Sequence, residues 1–153
     1  QARLLIRGNI MLRQWLQKFW PSKKNDVSSV KILIIEDNLV DARMIKKAVD
    51  LCGFSALIAY DGKNGIAMAQ AHKPDLIILD YRLPDMNGGE VLEALRSTKE
   101  TSTETVMVLT VFDTSEVVID SFIHGADQYF TKPISVASLA KQIKAMLRQP
   151  HED

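Results

Sequence analysis

The sequence predicts an α/β fold, a doubly wound parallel sheet with helices on both faces, and three observations predict it. From Val30 onward, short apolar runs alternate with helical patterns of about a dozen residues. The run Leu76, Ile77, Ile78, Leu79 carries no polar interruption, which suits a strand covered on both faces. Five β-then-α units with connections of this length imply right-handed crossovers and a parallel sheet. Such sheets reverse their strand order somewhere, and the crevice at the reversal, at the carboxyl edge, is where ligands bind.

In chain order, the predicted strands are Lys31 to Ile35, Ala56 to Tyr60, Leu76 to Leu79, Val106 to Thr110 and Gln128 to Phe130. The predicted helices are Val40 to Leu51, Lys63 to His72, Gly89 to Arg96, Ser115 to His124 and Val136 to Arg148. Gly53 and Gly125 supply C-terminal stop signals for the first and fourth of these.

Ahead of this regular part, Leu4 to Trp20 reads as an amphipathic helix. Leu4, Leu5, Met11, Leu12, Trp15, Leu16 and Phe19 gather on one side, with Arg3, Arg7, Gln14, Gln17 and Lys18 largely opposite. Gly8 weakens its middle, and Pro21 with the polar residues after it reads as a stop and linker. The expected organisation is a basic amphipathic helix and linker over residues 1–25, one domain over 26–149, and a tail over 150–153. Charge supports the division. Residues 1–25 hold six positive charges and no acid, leaving 13 basic against 19 acidic residues, a net of −6, in the remainder.

Composition is that of an ordinary globular domain, with 46% hydrophobic and 25% charged residues in a chain of 153. No apolar run approaches the roughly 20 residues that cross a bilayer, so a cytoplasmic protein is expected. Cys52 is the only cysteine, which excludes an internal disulfide and a cysteine metal cluster; packing as a small apolar residue near a helix end is expected. His72, His124 and His151 lack ligand spacing and are expected at the surface or terminus.

The chemistry concentrates at predicted strand ends. Glu36 and Asp37 end the first strand, Asp80 the third and Thr110 the fourth, while Lys132 and Pro133 follow the fifth. Each has a bland explanation alone, as a helix cap, a strand-end hydroxyl or a loop dipeptide. Their shared edge argues otherwise. Converging carboxylates raise one another's pKa unless a cation sits between them, and an oxygen-only set of this kind suits Mg²⁺. A lysine beside such a cation makes sense if a further anion arrives. Phosphorylation of Asp80 supplies one, with Lys132 and the Thr110 hydroxyl meeting the phosphoryl oxygens.

From Val30 to about Arg148, the chain resembles a response-regulator receiver domain of two-component signalling. ILIIEDN resembles the acidic-pair strand, PDLIILDYRLPDMNG the phospho-acceptor strand and loop, VLT the switch hydroxyl, and YFTKP the lysine loop. The resemblance implies a (βα)5 flavodoxin-like fold, with Asp80 as phospho-acceptor and Glu36 and Asp37 as acidic-pocket residues around Mg²⁺. Asp37 would be the direct ligand and the Arg82 backbone carbonyl would complete the metal shell. It further implies Thr110 and Lys132 as phosphoryl contacts, a Lys132–Pro133 bond that is usually cis, and Tyr129 as the aromatic that turns when Thr110 is drawn inward. Arg82 and Phe112 would flank the path of hydrolytic water. Exposed positions of the first helix, such as Asp41, Arg43 and Lys46, would carry kinase specificity.

Three functions follow for testing. The first is a phosphorylation-dependent switch, not an enzyme beyond its own phosphorylation and dephosphorylation, charged by a histidine kinase, phosphotransfer protein or small donor. The second is an aspartyl-phosphate hydrolase like the haloacid dehalogenases, which need a second Asp two residues after the first; Arg82 stands there and cannot serve. The third is a phosphorylation-independent scaffold or oligomerisation module. The output would be a downstream protein or a homodimer formed through residues 1–25 or the 115–148 face, whether the chain stands alone or is one module of something longer. The basic segment could be a partner or dimer helix, a membrane-surface anchor, or a helix packed on the receiver. Direct nucleic-acid binding is not expected of an acidic receiver.

Overall fold

The computed structural model describes residues 29–148, so the predicted amphipathic segment, the tail and His151 lie outside the described residues. Ten elements alternate along the described residues: β1 (Lys31–Ile35), α1 (Leu39–Leu51), β2 (Ser55–Ala59), α2 (Gly62–His72), β3 (Leu76–Leu79), α3 (Gly88–Ser97), β4 (Val106–Thr110), α4 (Ser115–Ile123), β5 (Gln128–Thr131) and α5 (Val136–Arg148). Every strand and helix predicted between Val30 and Arg148 is present. β2 is displaced by one residue because Ser55 pairs with Lys31, while Asp61 caps α2 by accepting from the Asn64 amide. α3 starts one residue early because Asn87 and Glu90 satisfy each other's backbone amides in a capping box. Gly53 and Gly125 adopt the left-handed conformation their stop signals require, at φ 78° and 100°.

The five strands form one parallel sheet in the order β2-β1-β3-β4-β5. The winding reverses between β1 and β3, so the residues after those two strands flank the crevice. Alternate side chains of the central strands feed two cores. Ile32, Ile34, Leu76, Ile78, Met107 and Leu109 pack with Ile45 and Val49 of α1 and Leu139 and Ile143 of α5. Leu33, Ile35, Ile77, Leu79, Val106 and Val108 pack with Ala69 of α2 and Val91, Leu92 and Leu95 of α3. Each of these large side chains contributes about 1.5–3 kcal/mol of transfer free energy, enough to fix the register that sets the strand ends side by side. Cys52 is buried at the end of α1, its thiol facing the Ala140 carbonyl at 3.5 Å, as a small packing residue.

The edge opposite the crevice holds a buried acid. Both carboxylate oxygens of Glu104 lack a hydrogen-bond partner among the described residues. Burial pushes this carboxyl up to about 7, although Arg96 and Lys73 pull it down. Between its unfolded value near 4.5 and about 7, the folded state therefore holds the extra proton, and stability falls as pH rises through that window. Glu104→Gln should flatten the decline by about 1–3 kcal/mol in urea unfolding followed across pH. Glu36 titrates in the same range, so the difference in slope between the two proteins is the reading; equal slopes would refute the assignment.

Candidate functional site

The hydrogen bonds that end the strands also aim the chemistry. The Glu36 amide donates to Ala59 O and the Asp80 amide to Ile35 O, both at 3.0 Å, and the Lys132 amide donates to Thr110 O at 2.8 Å. Backbone pairing thus carries each polar residue just beyond the ladder. Glu36, Asp37, Asp80, Thr110 and Lys132 all meet at the carboxyl edge.

Lys132 is the electrostatic centre. Its side chain is 7% exposed, and its ammonium donates to Glu36 Oε2 at 2.6 Å, Asp41 Oδ2 at 2.8 Å and Asp80 Oδ2 at 3.2 Å. Burial alone would favour neutral lysine; the bonds to Asp41 and Glu36, with the charge of Asp80, outweigh it and hold the group well above its ordinary range. Glu36 is fully buried, and its second oxygen accepts from the Asn38 amide at 3.0 Å. Burial pushes its carboxyl up to about 7, against the lowering by Lys132 and Asn38. The Lys132–Pro133 bond is cis.

Carboxylate oxygens of Glu36, Asp37 and Asp80 lie within 4.8 Å of one another, and the group could hold a metal ion. The donor set fits a hard divalent cation: it is all oxygen, and Asp80 Oδ1 is buried without a hydrogen-bond partner among the described residues. Thr110 Oγ1, on the strand next to Asp80, is likewise buried and unpartnered. Two orphaned oxygens on neighbouring strands are costly unless a ligand meets them.

Two loops rim the site. After β3 the chain folds back on itself, with Arg82 bridged to Asn87, and Asp85 accepts from the Gly62 and Lys63 amides at 2.8 and 2.9 Å. Those two bonds hold the Asp85 carboxyl below its ordinary range and tie the loop to the start of α2. The Arg82 guanidinium lies over the Phe112 ring, 4.3 Å from its centroid, joining this loop to the one after β4. The Tyr129 hydroxyl donates to the Phe112 carbonyl, and its ring stands 6.5 Å from that of Phe122 on α4.

Three contacts were not legible as such. Asp41, expected as an exposed position on α1, is half-buried and bonded to Lys132, because the first turn of α1 begins over the strand ends; Arg43 is exposed, and Lys46 pairs with Asp50 at 2.7 Å. An acid in the first turn after an acidic pair was the available signal. Tyr81, next to Asp80, donates to Asp120 Oδ2 of α4 at 2.7 Å. Burial, then Asp120, pushes the phenol up to about 12, so it remains a donor. His124, expected at the surface, is half-buried with Nδ1 3.2 Å from the same carboxylate; His72 is exposed.

Comparison with known proteins agrees with this geometry. A model described as "Response regulator receiver domain" matches residues 32–144. The chain is 36% identical over 127 residues to the probable transcriptional regulatory protein TcrX of Mycobacterium tuberculosis, covering 83% of this chain and 53% of that protein. It is 39% identical over 120 residues to the uncharacterized transcriptional regulatory protein YclJ of Bacillus subtilis, covering 78% and 52% respectively. The chain thus spans about half the length of the curated relatives it matches. Among solved structures, a CheY-like receiver domain protein of Methanospirillum hungatei aligns with a TM-score of 0.73 at 28% identity, over 78% of this chain and 94% of that one. The chemotaxis response regulator CheY4 of Vibrio cholerae aligns with a TM-score of 0.72 at 26% identity, over 77% and 98%. Among the described residues, no helix is long and apolar enough to cross a membrane. Sheet order, the residues gathered at its carboxyl edge and these matches lead to one assignment: the chain belongs to the response-regulator receiver domains of two-component signalling.

Proposed function

We propose that Asp80 is a phospho-acceptor, and that its modification switches the binding surface of the domain. One observation carries this reading: Asp80 Oδ1 and Thr110 Oγ1 are buried, with no hydrogen-bond partner among the described residues, beside a lysine that supplies positive charge. A carboxylate oxygen of Asp80 attacks the phosphorus of a phosphohistidine or small acyl phosphate. The P–N or P–O bond to the donor breaks, the leaving group takes its electron pair, and Asp80 becomes an acyl phosphate. Lys132 then meets one phosphoryl oxygen as a cation, and the Thr110 hydroxyl donates to another. Mg²⁺, when held by Glu36, Asp37, Asp80 and the Arg82 carbonyl, would supply further neutralisation of the transferring group. Attack by water on phosphorus releases phosphate and restores the carboxylate.

Acetyl phosphate with Mg²⁺ should add one phosphoryl group to the wild type by intact mass and none to Asp80→Asn or to protein in EDTA. Equal labelling of Asp80→Asn would remove the proposal. Binding of a partner that is unchanged by Asp80→Asn would favour the scaffold instead.

Arg82 and Phe112 govern lifetime in this reading. Their stacked side chains span the two loops at the rim, where in-line water must approach. Arg82→Ala and Phe112→Ala should each speed phosphate loss about threefold to tenfold, equivalent to roughly 1 kcal/mol in the barrier. Decay rates followed by phosphate release test this, and unaltered rates contradict it.

The output runs through α4, β5 and α5. Ile119, Phe122 and Ile123 of α4 are exposed, Tyr129 touches Phe122, and Tyr81 bonds Asp120, so both sides of the acceptor reach that helix. Movement of Thr110 and Tyr129 would bias this face between two arrangements, to which a protein partner or second copy binds unequally. A histidine kinase or phosphotransfer protein would act as donor. Any nucleic-acid contact, as the word DNA-binding in the name of the Synechocystis relative RpaA describes for that protein, would come from other parts of a longer chain.

A further inference from the structure

The three acceptors of the Lys132 ammonium are not equivalent. Glu36 Oε2 and Asp41 Oδ2 hold it at 2.6 and 2.8 Å, whereas the contact to Asp80 Oδ2 is the longest at 3.2 Å. Lysine has three donors, so the set is full. With 7% of the side chain exposed, the ammonium cannot replace a lost partner freely with bulk water. Glu36 reaches it from the end of β1 and Asp41 from the first turn of α1, where the Asn38 side chain fixes the Asp41 amide at 3.0 Å. A phosphoryl oxygen arriving on Asp80 needs one donor, and the longest bond is the one most readily exchanged. The other two can stay.

We infer that Asp41 is a positioning residue, which with Glu36 holds the Lys132 ammonium aimed at the anion carried by Asp80. The inference rests on the reading of Asp80 as acceptor. It ties the start of α1 directly to the reacting group, and Asp41 is to that extent withdrawn from the exposed surface of α1.

Simple charge counting predicts the opposite sign, which makes the idea testable. Asp41 is an anion beside an anion site, so deleting its charge should by itself strengthen binding of a phosphoryl mimic. If Asp41 positions the lysine, deletion weakens binding. Trifluoroberyllate would be titrated into the full chain at saturating Mg²⁺ and followed by fluorine NMR, for wild type, Asp41→Asn, Asp41→Ala and Asp50→Asn. The last removes an equal charge from the solvent side of α1, where Asp50 pairs with Lys46 alone among the described residues.

The expected result is a dissociation constant raised about threefold to tenfold in both Asp41 variants and unchanged in Asp50→Asn. The water-protected Lys132 ammonium signal in nitrogen-15 NMR should also be lost in Asp41→Ala and kept in Asp50→Asn, which a general loosening of α1 would not reproduce. A wild type that binds the mimic while Asp41→Asn binds it equally or more tightly overturns this inference alone. A wild type that fails to bind it overturns the acceptor reading and this inference together.

Discussion

Lys132→Met should lose about 2–4 kcal/mol of folding stability in magnesium-free buffer at about pH 8, and should regain much of it on acidification or on adding Mg²⁺. The substitution keeps most of the apolar stem and removes the cation that three carboxylates share. Breaking a buried ion pair by deleting one partner costs about 3–5 kcal/mol, because the remaining charge stays desolvated. Here the loss is smaller because Glu36 can take up a proton. Burial already holds its carboxyl at about 7, and Lys132 is the first of the groups that pull it down, so deleting the lysine moves it further up. The sign follows from proton counting. A carboxyl whose folded pKa lies above its unfolded value binds the extra proton when folded, so the deficit is full at high pH and shrinks as pH falls below the folded value. Magnesium acts by linkage, stabilising the folded state by RT ln(1 + [Mg²⁺]/Kd). Urea unfolding at two pH values, with and without Mg²⁺, reads both effects. A deficit that ignores pH and Mg²⁺ would mean that Lys132 stabilises the fold by packing and not by charge.

Arg96→Ala should cost about 3 kcal/mol or more while leaving binding of trifluoroberyllate intact. From the last turn of α3 the guanidinium donates to Gly125 O at 2.7 Å and to Glu104 O at 2.7 Å, with longer bonds to Ser102 O and Asp127 Oδ2. It thereby fastens the connections entering β4 and β5, the two strands that deliver Thr110 and Lys132. Each buried carbonyl left without a donor costs about 1–3 kcal/mol. Glu104 would also lose the cation that does more than Lys73 to offset its burial, which deepens the deficit above about pH 7. Arg96→Lys should restore less than half, because one ammonium cannot fork between two loops. The edge concerned is opposite the acceptor, so stability and mimic binding should separate. A loss under about 1 kcal/mol, typical of surface sites, would contradict this role.

The fold was readable because its central strands are continuous apolar runs and because Gly53 and Gly125 mark the ends of two of its helices. Leu76 to Leu79 and Val106 to Thr110 have the predicted bounds, and each delivers a polar residue to the same edge. The crevice followed from position alone, since Glu36, Asp37, Asp80, Thr110 and Lys132 are strand-end residues and parallel strands share one carboxyl edge. Contacts that depend on where helices sit were not readable. Asp41 looked like a solvent-facing helix residue, because periodicity gives a face but not the height of the first turn above the sheet. The bond from Tyr81 to Asp120 joins residues 39 positions apart through a helix whose placement no local pattern fixes. Nothing in the local sequence around Glu104 marks its oxygens as buried, because tertiary packing alone covers them. Helical periodicity marks Arg96 as a last-turn residue, but its fork reaches a loop 29 positions away.

The acceptor itself is tested most directly by trapping it chemically. After incubation with acetyl phosphate and Mg²⁺, borohydride reduces an aspartyl phosphate to homoserine, and tandem mass spectrometry of the digest then locates it. Homoserine at position 80 alone, absent without acetyl phosphate, is the predicted result. Conversion at Asp37 or Asp41 in place of Asp80, or no conversion anywhere in protein that remains folded, would contradict it.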